Sequence, residues 1–180
     1  AVAVLQLVDA GKLSLDGTVG DYLPDYPNRD VATQVRIRHL LSHTAGVGEI
    51  GFWDSSEFTT SRAYIDYRDR MRTSADYIVR YAGNPLEFEP GTKMAYSNFG
   101  FILLGSIIER VSGMSYEGYL RKRVFGPAAM RETGLEPETA RVSRRAAGYR
   151  WLDGTWRETR DLLLWRGTAA GGGYTTVGDL

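Results

Sequence analysis

Tyr96 and Asn98 are the residues of this chain whose types and spacing could do chemistry. They stand in the tripeptide Tyr96-Ser97-Asn98, directly before a long apolar run. A tyrosine phenol can take up and release a proton when a neighbouring lysine ammonium lowers its pKa, so it can serve as a general acid or base. An asparagine before a helix is, without further context, a common capping residue. The tripeptide is therefore either a polar cap or part of a catalytic site.

The apolar run after Asn98 predicts the helix that must position this pair. Its apolar positions are Phe99, Ile102, Leu103, Leu104, Ile107, Ile108 and Val111. This spacing is helical, and Ser112-Gly113 ends the run as a C-terminal cap would. Pro90-Gly91 predicts a type II turn ahead of it. The sequence thus places the tripeptide at the mouth of the main core helix.

Further helices and one hairpin are predicted around this core helix. Residues 1–10 are apolar enough for a buried helix, and Gly11 ends it. Thr73 and Ser115 have the side chains that cap helices, so each is expected to begin one. Asp153-Gly154 lies between alternating side chains and predicts a two-residue β-hairpin. The expected architecture is mainly α with a minor β component.

Composition limits the function classes. The chain has 180 residues, 43% of them hydrophobic, which predicts one domain over residues 1–180. Its 22 basic residues balance 22 acidic ones, so no net field favours nucleic acid. Without cysteine there is no thiolate metal site, and we predict no metal and no cofactor. No membrane segment is predicted, and periplasmic, secreted and cytoplasmic locations all remain open.

Three segments carry a resemblance to a known family. They are LLSHTAGV at 40–47, EPGTKMAYSNFGFILLGSIIERVSG at 89–113 and AAGGGYTTVGDL at 169–180. In this order they resemble the serine β-lactamase-like family, which includes class C β-lactamases, D-alanyl-D-alanine carboxypeptidases and related esterases. The middle catalytic element of this branch is Tyr-x-Asn, which residues 96–98 match.

The resemblance implies a role for each candidate site residue. Tyr96 is implied to be the catalytic general acid/base, and Asn98 to bind the amide of the substrate. Ser97 is implied to point away from them. The segment Ser42-His43-Thr44 is implied to be a buried, hydrogen-bonded structural support. A Ser42–His43 dyad is the less favoured interpretation, because adjacent residues on a helix do not face each other.

Two catalytic elements that the resemblance implies do not occur in the sequence. The lysines are Lys12, Lys93 and Lys122, and the residues three positions before them are Asp9, Pro90 and Tyr119. Ser-x-x-Lys is therefore absent, and so is Lys-Thr-Gly. We expect a truncated fragment of a β-lactamase-like serine hydrolase domain, namely the helical portion of an α+β fold without its main antiparallel sheet.

The sequence suggests two functions, which belong to different classes. The first is the central part of a serine hydrolase, in which an acyl-enzyme forms on a β-lactam, a D-amino peptide or an ester. We expect this chain itself to be inactive, with the small-molecule or peptide substrate belonging to the parent enzyme. The alternative is a non-catalytic binding or dimerising helical module. Because the sheet that would cover its helices is expected to be missing, exposed apolar faces could pair two copies as a homodimer.

Overall fold

The computed structural model contains the predicted helices and hairpin in order, together with short helices and a small sheet that the sequence did not predict. The structure describes residues 1–50, 66–67, 69–135, 142–152, 154–158 and 167–180. Within them the helices are α1 (Val2–Asp9), α2 (Val19–Tyr22), α3 (Arg29–Gln34), α4 (Ile37–Leu41), α5 (Ser74–Tyr81), α6 (Asn98–Ser112) and α7 (Tyr116–Leu120), which a π-helical turn (Arg121–Phe125) continues. The strands are β1 (Gly134–Leu135), β2 (Tyr149–Leu152), β3 (Thr155–Glu158) and β4 (Gly173–Tyr174). The fold is mainly helical with a minor β component, as predicted.

Helix α6 is the central element, and both of its ends have identifiable stop signals. The Ser97 hydroxyl accepts a hydrogen bond from the Gly100 N–H at 3.0 Å, so Ser97 is the N-cap. Gly113 follows the helix at φ 69°, and its N–H reaches the Glu109 carbonyl. A left-handed glycine at this position satisfies the last carbonyls at no steric cost. The predicted core helix is confirmed, one residue longer at each end.

The hydrophobic core forms around α6. Its fully buried members from other helices are Val4 of α1, Val19 of α2, Val31 of α3, Ile37 and Leu40 of α4, and Tyr77 of α5. Burying one such aliphatic side chain contributes about 1.5–3 kcal/mol relative to leaving it in water. Thr73 caps α5 with a reciprocal pair of bonds to Asp76, as its position predicts. The site therefore rests on a helix that eight buried residues hold in the core.

Helix α1 is buried along one face and exposed along another. Ala3, Val4 and Leu7 are buried, but Val2 and Leu5 are 57% and 47% exposed. The two groups lie on different faces of the same helix, since residues three and four apart share a face. One apolar strip of α1 therefore faces away from the core. Within the described residues, no helix is long and apolar enough to cross a membrane.

The two small sheets are both antiparallel. β1 pairs with β4, and β2 pairs with β3 in a hairpin whose register sets Trp151 opposite Trp156. Gly154 occupies the predicted turn at φ 75°, while Asp153 lies outside the described residues. The rings of Trp151 and Trp156 meet edge to face at a centroid distance of 5.3 Å. Both remain more than half exposed, so this hairpin lies away from the core.

A close contact joins α6 to the segment before β4. A Cβ built on Gly105 would lie 2.8 Å from the Cβ of Ala169, which is closer than two methyl groups can approach. The Ala169 turn is closed by backbone bonds between Thr168 and Gly171 in both directions. A side chain at position 105 would not fit, because this turn packs directly on the helix backbone.

Replacing Gly105 with alanine is expected to destabilise the chain by about 1–3 kcal/mol, because the added methyl overpacks the contact with Ala169. Helix propensity alone would favour alanine by about 0.8–1.0 kcal/mol, so the sign of the effect is diagnostic. Gly100→Ala in the same helix is the control, since its Cβ would meet its nearest neighbours at 3.5 and 3.6 Å, an ordinary contact. Urea unfolding followed by far-UV circular dichroism measures both. Equal stabilisation by the two variants would contradict the contact.

Candidate active site

Tyr96 and Asn98 lie together at the N-terminus of α6. Asn98 is the first residue of the helix, and Tyr96 lies two residues before it, outside any helix or strand. The Tyr96 hydroxyl donates to Asn98 Oδ1 at 3.3 Å. Tyr96 is 62% exposed, so its phenol is open to a substrate or to another side chain. Within the described residues no group accepts a hydrogen bond from Asn98 Nδ2, which leaves that amide able to donate outward.

Ser97 turns in the opposite direction, as expected. Its side chain is only 6% exposed. The Ser97 hydroxyl donates to the Gly48 carbonyl while it accepts from the Gly100 N–H. One hydroxyl thus caps the helix and ties it to the segment after α4. Ser97 has extended backbone, so its side chain points to the opposite side of the chain from that of Tyr96.

His43 holds the backbone on both sides of Tyr96. Its carbonyl accepts from the Ala95 N–H at 2.9 Å, and its Nδ1 accepts from the Ser97 N–H at 3.1 Å. An imidazole nitrogen that accepts carries no proton, so this geometry belongs to the tautomer protonated at Nε2. The ring stacks between Tyr96 and Phe101 at centroid distances of 4.4 and 5.0 Å. His43 reaches this position through a left-handed backbone at φ 56°.

The other two members of the Ser42-His43-Thr44 segment are placed differently. The Ser42 hydroxyl donates to the Arg38 carbonyl at 2.8 Å and accepts from the Thr44 hydroxyl at 2.9 Å. The expectation of a buried segment is wrong, because the three residues follow the last residue of α4 rather than lying in the core: Ser42 is exposed, and His43 and Thr44 are only half-buried. The Ser42 hydroxyl bonds Arg38 and Thr44 rather than the His43 ring, so the geometry gives no dyad.

Glu49 is a site residue that the sequence did not reveal. Its Oε2 accepts from the Asn98 N–H at 2.6 Å, and its Oε1 accepts from the Ile50 N–H at 2.8 Å. A carboxylate at the N-terminus of a helix is favoured by the partial positive charge there. The two partners are 49 residues apart in the chain, so no local pattern indicates the contact. Only the folded arrangement brings Glu49 to the tripeptide.

A mainly apolar cavity of about 290 Å³ opens beside Asn98. It is lined by Ile50, Tyr77, Asn98, Ile102, Thr168, Ala170, Gly171 and Gly172. The Asn98 amide is thus set at the edge of a space suited to an uncharged group. Within the described ranges, no set of three or more His, Asp and Glu side chains converges to hold a metal ion.

Residues 1–180 match the protein family described as Beta-lactamase, which is consistent with the fold and with the tripeptide. The match covers the whole chain, and the chain belongs to the β-lactamase family. The family resemblance predicted from the sequence is confirmed.

Relatives of known identity include penicillin-binding proteins and an esterase. Over 159 residues the chain is 33% identical to penicillin-binding protein 4* of Bacillus subtilis, which covers 83% of the chain and 32% of that protein. It is 34% identical over 150 residues to esterase EstB of Burkholderia gladioli, covering 77% of the chain and 37% of the esterase. The chain spans about a third of the length of these curated relatives.

A solved structure shows the same fold. The crystal structure of a penicillin-binding protein from Bacillus halodurans superposes with a TM-score of 0.85 at 35% identity. The superposition covers 99% of this chain and 53% of the other. The helical arrangement is therefore that of the corresponding half of a penicillin-binding protein.

Proposed function

We propose that this chain is the central part of a serine hydrolase that forms and hydrolyses an acyl-enzyme. In this proposal Tyr96 is the general acid/base and Asn98 binds the amide of the substrate. The serine nucleophile and its lysine would come from a Ser-x-x-Lys element, which does not occur among these 180 residues. Residues 1–180 would form one domain with the segments that supply it. The observation that carries the proposal is the outward-facing pair formed by the Tyr96 hydroxyl and Asn98 at 3.3 Å.

The proposed chemistry begins with a proton transfer. A serine hydroxyl attacks a carbonyl poorly until a base removes its proton, and a phenolate beside a lysine ammonium can accept it. The Tyr96 phenol would then return the proton to the leaving nitrogen or oxygen as the tetrahedral intermediate collapses. In deacylation it would activate a water in the same way. Its exposure leaves room for both partners, and the His43 ring fixes its position from behind.

The cavity beside Asn98 favours one substrate class. An amide that bonds Asn98 would place its adjoining substituent in the mainly apolar space lined by Ile50 and Ile102. A β-lactam with an acylamino side chain or a peptide with an apolar residue has this arrangement of groups. A simple ester lacks the amide and uses only the Tyr96 half of the site. We therefore favour an amide-bearing substrate over a simple ester.

Covalent labelling tests the proposal. A protein that carries residues 1–180 together with a Ser-x-x-Lys element is expected to be acylated by a fluorescent penicillin, with the label on that serine in peptide mass spectrometry. Its serine-to-alanine variant is the control and should stay unlabelled. Absence of labelling in the unmodified protein, at penicillin concentrations that saturate a known penicillin-binding protein, would count against the function.

A second candidate function is a homodimerising helical module, and the exposed apolar strip of α1 favours it. Val2 and Leu5 are the exposed members of that strip. If it pairs two copies, the 180-residue chain should be dimeric by light scattering, and Leu5→Glu should return it to a monomer while Val79→Glu, on the exposed side of α5, should not. A monomeric unmodified chain at high micromolar concentration would exclude this candidate.

A further inference from the structure

Glu49 bonds the backbone of two residues that line the same cavity. Its carboxylate accepts from the N–H of Asn98 at 2.6 Å and from the N–H of Ile50 at 2.8 Å. Asn98 and Ile50 both line the apolar cavity, one as its polar edge and one as its apolar wall. The residue that bonds the Asn98 backbone is therefore also the direct chain neighbour of Ile50, which forms part of the cavity wall.

The contact acts on the backbone of Asn98 at the point where that backbone is least constrained. Asn98 is the first residue of α6, and the first N–H groups of a helix have no partner inside the helix. Glu49 supplies that partner with a charge-assisted bond, which is stronger than a bond between neutral groups. The direction of the Asn98 side chain follows from this backbone. Loss of the carboxylate would let the first turn of α6 rotate or fray.

The loop that presents Glu49 is itself held in place. Gly46 and Gly48 have left-handed backbones at φ 70° and 72°, and the Gly46 carbonyl accepts from the Glu87 N–H. The Gly48 carbonyl accepts from the Ser97 hydroxyl. The carboxylate therefore follows a segment that two hydrogen bonds from distant parts of the chain hold in place, and a rigid support of this kind is what a precise site needs.

We propose that Glu49 is a positioning residue for Asn98, which sets the preference of the site for amide-bearing substrates over simple esters. Glu49 is not a catalytic residue in this proposal, because it acts on the substrate through the backbone of Asn98. His43 positions Tyr96 in a similar way, through its hydrogen bonds to the backbone of Ala95 and Ser97. The inference rests on the proposed function, since it assigns to Asn98 the substrate amide.

The test compares two substrates in one protein that carries residues 1–180 and a Ser-x-x-Lys element. One substrate is a chromogenic cephalosporin with an acylamino side chain, and the other is p-nitrophenyl acetate. Glu49→Gln replaces one acceptor oxygen with a donor, so kcat/KM for the cephalosporin is expected to fall about tenfold relative to that for the ester. Both substrates meet the same folded molecules, so the ratio is independent of any loss of folded protein.

Two controls show whether the effect passes through Asn98. Glu87→Gln makes the same chemical change on an exposed acid beside Gly48 and should leave the ratio unchanged. Asn98→Ala should lower the ratio as Glu49→Gln does. The double variant should be no worse than Asn98→Ala alone, because two residues that act through one contact are not additive.

The outcomes separate this inference from the function on which it rests. The positioning role is overturned if Glu49→Gln lowers both rates equally or lowers neither rate. The proposed function still stands in that case, provided that Tyr96→Phe slows both substrates and Asn98→Ala lowers the ratio. If Tyr96→Phe slows neither substrate, the proposed function itself is overturned. An independent readout is the amide proton resonance of Asn98 in the 180-residue chain. It should move upfield in Glu49→Gln, and an unchanged resonance overturns the proposed contact.

Discussion

Tyr96→Phe is expected to lower kcat by about 10²–10⁴-fold in a protein that carries residues 1–180 and a Ser-x-x-Lys element, because it removes the proton-transferring hydroxyl. The ring itself remains, so its stacking on His43 at 4.4 Å should persist. The hydroxyl makes one hydrogen bond within the described residues, at 3.3 Å to the exposed side of Asn98, so folding should change little. Steady-state kinetics on both a β-lactam and an ester measure the loss.

The matched control is Tyr149→Phe, which removes an exposed phenol from the hairpin. Tyr149 is as open to solvent as Tyr96 but belongs to β2. Its variant should keep full activity and the same urea midpoint as the unmodified protein. An unchanged kcat in Tyr96→Phe would assign that tyrosine to structure. A fall in kcat accompanied by an equal fall in folded protein would do the same.

Residues 1–180 alone are expected to hydrolyse neither a chromogenic cephalosporin nor a short-chain p-nitrophenyl ester above the buffer rate. The reason is chemical: Tyr96 can move a proton, but no Ser-x-x-Lys element is present to supply the attacking hydroxyl and the ammonium beside it. Removing the nucleophile from such a site leaves only residual catalysis from binding and orientation. Initial rates at several chain concentrations give the measurement.

The positive control for that assay is the longer protein with the Ser-x-x-Lys element, measured under the same conditions. A rate that rises in proportion to the concentration of the 180-residue chain, and that titrates to zero with a covalent serine inhibitor, would contradict the expectation. It would mean that a serine among residues 1–180 serves as the nucleophile without the lysine. Ser42, exposed beside Thr44, would then be the first residue to replace.

The helix at the centre of the fold was predictable because its signals are local. Apolar spacing after Asn98 and a glycine at Gly113 both act within one helix, so the sequence places its ends within one residue. The capping residue is Ser97 rather than Asn98, the cap that the sequence suggested. The roles of Tyr96 and Asn98 remain a proposal that depends on family resemblance.

The contacts that support the site were less predictable because they join distant parts of the chain. Glu49 reaches Asn98 across 49 residues, and no spacing rule relates them. His43 was expected to be a support, but its left-handed backbone and its bond to the Ser97 N–H depend on where the tripeptide lies. The exposure of Ser42 was predicted wrongly, since the sequence shows where α4 ends but not which way the next residue turns.

The tryptophan pair of the hairpin has a practical consequence for spectroscopy. Trp151 and Trp156 are the tryptophans of the described residues, and both are more than half exposed, while the described core contains tyrosine and phenylalanine. In a variant that keeps these two and has phenylalanine at Trp53 and Trp165, tryptophan emission is that of solvent-exposed indoles in the native state and reports on the opening of β2 and β3. A denaturation curve read from that variant would follow the hairpin. Tyrosine emission and helical ellipticity are the signals that follow the packing around α6.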